Sequence, residues 1–178
     1  MSLTFSRRSF LKYTAVAAVA VAGSSLLTGC KDDDNKATRT EYGKITVLQA
    51  QSTLSGATYN ASDRTLTFDF SVKCGRGNPM RVEKSCFSVE ITSTDDSGNE
   101  TTKKYAPDFG NLRISEDLYN AQLKKDKTAE GTVTISGISS LGEKDVVTFL
   151  YQPDAYPYTE YGATWELTGE YILNNMAK

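Results

Sequence analysis

Residues 66–74 read Leu-Thr-Phe-Asp-Phe-Ser-Val-Lys-Cys, the longest strict alternation in the chain. Leu66, Phe68, Phe70, Val72 and Cys74 fall on one face, and Thr67, Asp69, Ser71 and Lys73 on the other. Successive strand side chains point to opposite faces, so this pattern demands one dry face and one wet face. A strand of that kind belongs in an antiparallel sheet whose inner face packs on another layer. Turn residues bound it, with Asn60, Ser62 and Asp63 before and Gly75, Gly77, Asn78 and Pro79 after. The same period recurs at Ile45 and Val47, at Phe87, Val89 and Ile91, and at Val133 and Ile135. It returns over 146–151 and 164–173. Only 115–123 reads as helix, with Ser115 as cap and Glu116 and Asp117 in the first turn. The expected fold class is all-β, an antiparallel sandwich with at most one short helix.

The N-terminal segment carries a different kind of information. Arg7, Arg8 and Lys12 form a basic stretch before an Ala/Val run that Gly23, Ser24 and Ser25 interrupt. The run is shorter than the roughly 20 apolar residues a spanning helix needs, so a cleaved signal fits. Residues 6–12, Ser-Arg-Arg-Ser-Phe-Leu-Lys, resemble a twin-arginine export signal throughout. Leu27-Thr28-Gly29-Cys30 resembles the lipobox of bacterial lipoproteins. That resemblance implies a diacylglycerol on the Cys30 thiol and a mature chain that begins there. The division expected is a signal peptide over 1–29, a disordered tether over 30–41, and one domain over 42–178. Ala37 is the single apolar residue between Lys31 and Glu41, which is why a tether is expected there.

Composition narrows the chemistry. The formal charge of the whole chain is -2, and losing Arg7, Arg8 and Lys12 with the signal takes it to -5. An acidic domain is a poor partner for phosphate backbones, so nucleic acid is not expected. Histidine is absent, removing the commonest general base and metal ligand. With Cys30 acylated, Cys74 and Cys86 are too few for a thiolate zinc site, and neither metal nor cofactor is expected. In an exported domain those two cysteines are candidates for a disulfide. A turn centred near Met80 would bring them face to face, whereas a tight turn over 75–79 would hold them apart. Asp95, Ser97 and Asn99 mimic the start of a calcium loop, but Glu100 and Ala106 stand where Gly and Glu belong, so a hairpin loop is expected.

Over roughly 59–167 the chain resembles Ig-like domains of unknown function on secreted and lipid-anchored bacterial proteins. The resemblance rests on the 66–74 strand, Asn78-Pro79-Met80-Arg81-Val82, Phe87-Ser88-Val89, Gly131 before a late strand, and Tyr151-Gln152-Pro153. It implies an Ig-like sandwich on the envelope and no catalytic residues.

The function expected is therefore a binding or interaction module, lipid-anchored in the cell envelope and not an enzyme. Its expected partners are the membrane, through Cys30, and an envelope protein or glycan. Tyr156, Tyr158 and Tyr161, in a stretch stiffened by Pro153 and Pro157, are the candidate ligand-binding loop. The alternatives are an accessory subunit of an envelope complex, or a glycan-acting enzyme using carboxylates among Asp145, Asp154, Glu160, Glu166 and Glu170.

Overall fold

The computed structural model of the chain describes residues 36–153 and 161–176. Twelve strands run β1 (Lys36–Arg39), β2 (Gly43–Val47), β3 (Ala50–Asn60), β4 (Thr65–Cys74), β5 (Met80–Val82), β6 (Phe87–Thr94), β7 (Glu100–Tyr105), β8 (Leu112–Ile114), β9 (Asn120–Leu123), β10 (Thr128–Ser136), β11 (Val146–Tyr151) and β12 (Gly162–Thr168). One sheet is ordered β1-β12-β11-β6-β7 and the other β2-β3-β4-β10-β8, with β5 and β9 forming a separate ribbon. Pairing is antiparallel except between β1 and β12. The described residues form an all-β sandwich with one short helix, α1 (Gly169–Asn174).

The alternation over 66–74 is realised in β4, whose Leu66, Phe68, Phe70, Val72 and Cys74 are all buried. Phe70 is the centre of the interlayer contact. Its ring lies 5.2 Å from Phe87, 5.0 Å from Tyr151, 5.7 Å from Phe149 and 6.1 Å from Trp165, centroid to centroid. Offset and edge-on aromatic pairs at such separations add to the gain from burial. Trp165 reaches from β12 to donate its indole N–H to the Gly43 carbonyl, 3.1 Å away, joining the start of β2 to the other sheet.

Three segments differ from the sequence reading. Lys36–Arg39, expected within the 30–41 tether, is strand β1, paired with Gly162 through Trp165 of β12. Its order comes from main-chain pairing, which leaves no hydrophobic signature. Residues 115–123, expected as a helix, form a turn over 116–118 followed by β9, whose Leu123 lies opposite Met80 of β5. A helix that short is marginal alone, and the turn and ribbon bury Leu118 and Leu123 where an isolated helix would leave them wet. Residues 164–173, expected as one strand, break at Thr168, whose hydroxyl accepts the Tyr171 N–H at 3.1 Å and starts α1. A β-carbon on Gly169 would collide with the Gly142 carbonyl, so only glycine permits this close approach.

The longest strand, β3, was hidden in a polar stretch. Its inward residues include Ala50, Ser52, Leu54 and Ala57, mostly too small to show as a hydrophobic stripe, and a register shift between Leu54 and Gly56 interrupts the alternation. The hairpin expected at 95–99 is present. Asp95 accepts the Ser97 and Asn99 N–H groups at 2.9 and 2.8 Å and the Asn99 side-chain amide at 2.9 Å. These bonds, the Asn99 amide first among them, hold the Asp95 carboxyl below its usual range.

Replacing Phe70 by Ala is expected to cost about 3–5 kcal/mol of unfolding free energy in urea titration. Val146→Ala, at a partly exposed β11 position, is expected to stay within about 0.5 kcal/mol.

Candidate functional site

The chain between β5 and β6 makes a 3-10 turn, Lys84–Cys86, beside β8. Grooves open on either side of it. The larger, about 510 Å³, is lined by Glu83, Lys84, Ile114, Ser115, Glu116 and Tyr119. Its wall is the turn after β8, held by the Ser115 N–H donating to the Thr132 carbonyl at 2.9 Å and the Ser115 hydroxyl accepting the Thr132 N–H at 3.0 Å. Leu118 is buried beneath this turn, and the neighbouring Tyr119 is 54% exposed. The turn can sit this low because β10 has Gly131 under it. A β-carbon there would collide with the Ser115 hydroxyl and lie 3.0 Å from the Leu118 nitrogen. The result is an exposed phenol ring flanked by two carboxylates and an ammonium.

The smaller groove, about 380 Å³, includes Ser85, Phe87, Lys104, Pro107, Phe109 and Gln152. Phe109 is 65% exposed, the most exposed large hydrophobic side chain among the described residues. It ends the 3-10 turn Pro107–Phe109, which Gly110 closes in the left-handed conformation at φ 69°.

The residues singled out from sequence are scattered. Arg7, Arg8, Cys30, Tyr156, Tyr158, Asp154 and Glu160 lie outside the described residues. Tyr161 is half-buried and packs on the core just before β12, so its ring is not a free platform. Asp145 is buried, its carboxylate accepts the Gly142 N–H at 2.8 Å, and its carbonyl accepts the Gly169 N–H at 2.7 Å. That carboxylate braces the turn beneath α1. Glu166 and Glu170 are exposed, on β12 and in the first turn of α1.

Cys74 and Cys86 are buried and are not joined in the candidate disulfide. The intervening chain is spent on β5 and the 3-10 turn, so each thiol is directed at local carbonyls. Cys74 Sγ faces the carbonyls of Arg76 and Asn78 at 3.6 and 3.8 Å, and Cys86 Sγ faces that of Arg81 at 3.8 Å. Denatured without reductant, the mature protein is expected to titrate two thiols; none would restore the bridge.

Among the described residues three phenols are held away from ionisation, Tyr105 by burial alone. Burial, then the neighbouring Tyr171 hydroxyl, pushes Tyr42 up to about 12. Burial, reinforced by the Cys86 and Cys74 thiols, pushes Tyr151 well above its ordinary value. An unfolded tyrosine ionises near pH 10, so above that pH the unfolded chain loses protons that the folded one keeps. Stability is therefore expected to hold below about pH 10 and to fall as the pH rises towards 12. Tyrosinate absorbance should show a late fraction that grows only as circular dichroism reports unfolding.

The family description that matches the chain is the twin-arginine translocation pathway signal sequence, over residues 4–24. This defines an exported protein, carried across the cytoplasmic membrane to the extracytoplasmic side. A search of curated proteins gives no match. Sequence reasoning missed Glu83, Glu116 and Tyr119. Tyr119 fell inside the expected helix, and Glu83 reaches the same groove only through the ribbon and the 3-10 turn.

Proposed function

We propose that this is a lipid-anchored binding module of the cell envelope, attached through Cys30, with an Ig-like sandwich presenting the Tyr119 groove to a glycan. The observation that carries the binding reading is the exposed Tyr119 ring in a groove shared with Glu83, Glu116 and Lys84. A flat aromatic face suits the C–H face of a sugar ring, while carboxylates accept and ammonium groups donate hydrogen bonds to its hydroxyls. A few polar groups converging on an apolar-lined concavity is the usual make-up of a small-ligand site. The twin-arginine signal supports the location, and the cysteine after Leu27-Thr28-Gly29 supports the anchor.

The test is a glycan array followed by calorimetry on the glycan retained. Tyr119→Ala is expected to weaken binding about tenfold or more, the loss of one well-placed aromatic contact, with little change in melting temperature. Equal affinity in the variant, or no retention of any glycan by the wild type, would reject the reading. Because two carboxylates line the groove, the same incubations are assayed for released reducing sugar. Its production would move the protein from binding module to carboxylate-based hydrolase.

A further inference from the structure

We propose that the domain rests on the bilayer by one particular end, and that Phe109 seats in the lipid interface there. The inference depends on the acylation of Cys30 set out above. Five residues separate Cys30 from Lys36, where β1 begins. A fully extended chain gains at most about 3.6 Å per residue, so anchor and first strand can be no more than roughly 22 Å apart. The end of the sandwich that carries Lys36 is thereby confined to the neighbourhood of the membrane.

Strand pairing identifies that end. Because β1 is parallel to β12, Lys36 lies opposite Gly162, the first residue of β12. The next residue of β12, Ala163, pairs with Tyr151, which pairs in turn with Phe87 at the start of β6. The Gln152 N–H donates to the Cys86 carbonyl at 2.8 Å, at the same limit of the sheet. Phe87 and Gln152 line the groove that holds Phe109. The start of β1 and Phe109, the most exposed aromatic ring among the described residues, therefore share one end of this sheet. The hairpin joining β6 to β7, with Ser97 in its loop, and the α1 end of β12 lie at the opposite end.

The occupant that this geometry selects is the bilayer bearing the acyl chains. Apolar rings on a protein held against lipid settle at the headgroup level, where they lose contact with water without burying backbone. Lysines flanking such a ring keep their charges in the headgroup layer while their stems lie along the apolar boundary. Lys104 is exposed in the groove that holds Phe109, and Asp108 is exposed beside the ring. With charges of both signs present, the contact is mainly apolar and should be insensitive to moderate salt.

The experiment uses full-length lipidated protein extracted from membranes and reconstituted into phosphatidylcholine vesicles with brominated acyl chains. Phe109→Trp and Ser97→Trp are compared with the wild type, whose Trp165 is buried and supplies the background emission. A ring seated roughly 5–10 Å deep comes within quenching range of the bromines, so the Phe109→Trp probe is expected to shift to the blue and lose about half its emission. The Ser97→Trp probe should match its intensity in unbrominated vesicles. If vesicle-bound protein shows an unquenched Phe109→Trp, or equal quenching at both sites, the orientation is wrong while the anchor stands. Wild-type protein that fails to float with the vesicles refutes the acylation, and the orientation with it.

Discussion

Phe70 is the side chain on which the two layers converge. It rises from β4 in one sheet and touches Phe87, Phe149, Tyr151 and Trp165, which come from three strands of the other. Sheet packing requires each inner face to fill the space between layers to near-crystalline density. One large ring meeting four others does so at the middle of the sandwich and sets how the sheets lie on one another. The Trp165 bond to the Gly43 carbonyl extends that constraint to the corner where β1 leads into β2.

Around this centre the structure uses small residues to bring backbones close. Gly131 lets the turn over 116–118 settle on β10, and Gly169 lets α1 begin against the Gly142 carbonyl. The first of these approaches builds a functional surface. With Leu118 pulled into the core, the adjacent Tyr119 is left facing solvent over the groove. An aromatic ring is exposed here because its neighbour is buried, a consequence of packing at one turn. The 3-10 turn Lys84–Cys86 divides that groove from the one holding Phe109, so two exposed rings stand on either side of a single crossing segment.

Location and fold meet at β1. The export signal directs the chain across the membrane, and the pairing of β1 with β12 determines which end of the domain the N-terminal chain leaves from. A parallel strand at that edge places Lys36 beside the start of β12, whereas an antiparallel one would have placed it towards α1. The direction of one short strand thus decides which surface any N-terminal attachment holds close.

The sequence by itself determined the export address, the all-β class and most of the core. Period-two burial writes apolar residues at alternate positions wherever a strand has one dry face, as in β4, β6 and β11. It was silent where order comes from main-chain pairing or from small residues. Hence Lys36–Arg39 read as tether, and no alternation marked β3. It misled at 115–123, where local capping chemistry suggested a helix that the pairing of β9 with β5 overrules. The groove was not legible because Glu83 lies far in sequence from Glu116 and Tyr119, and none belongs to a motif. Only the tertiary structure brings them together, because their meeting depends on a crossing turn and a glycine-floored approach.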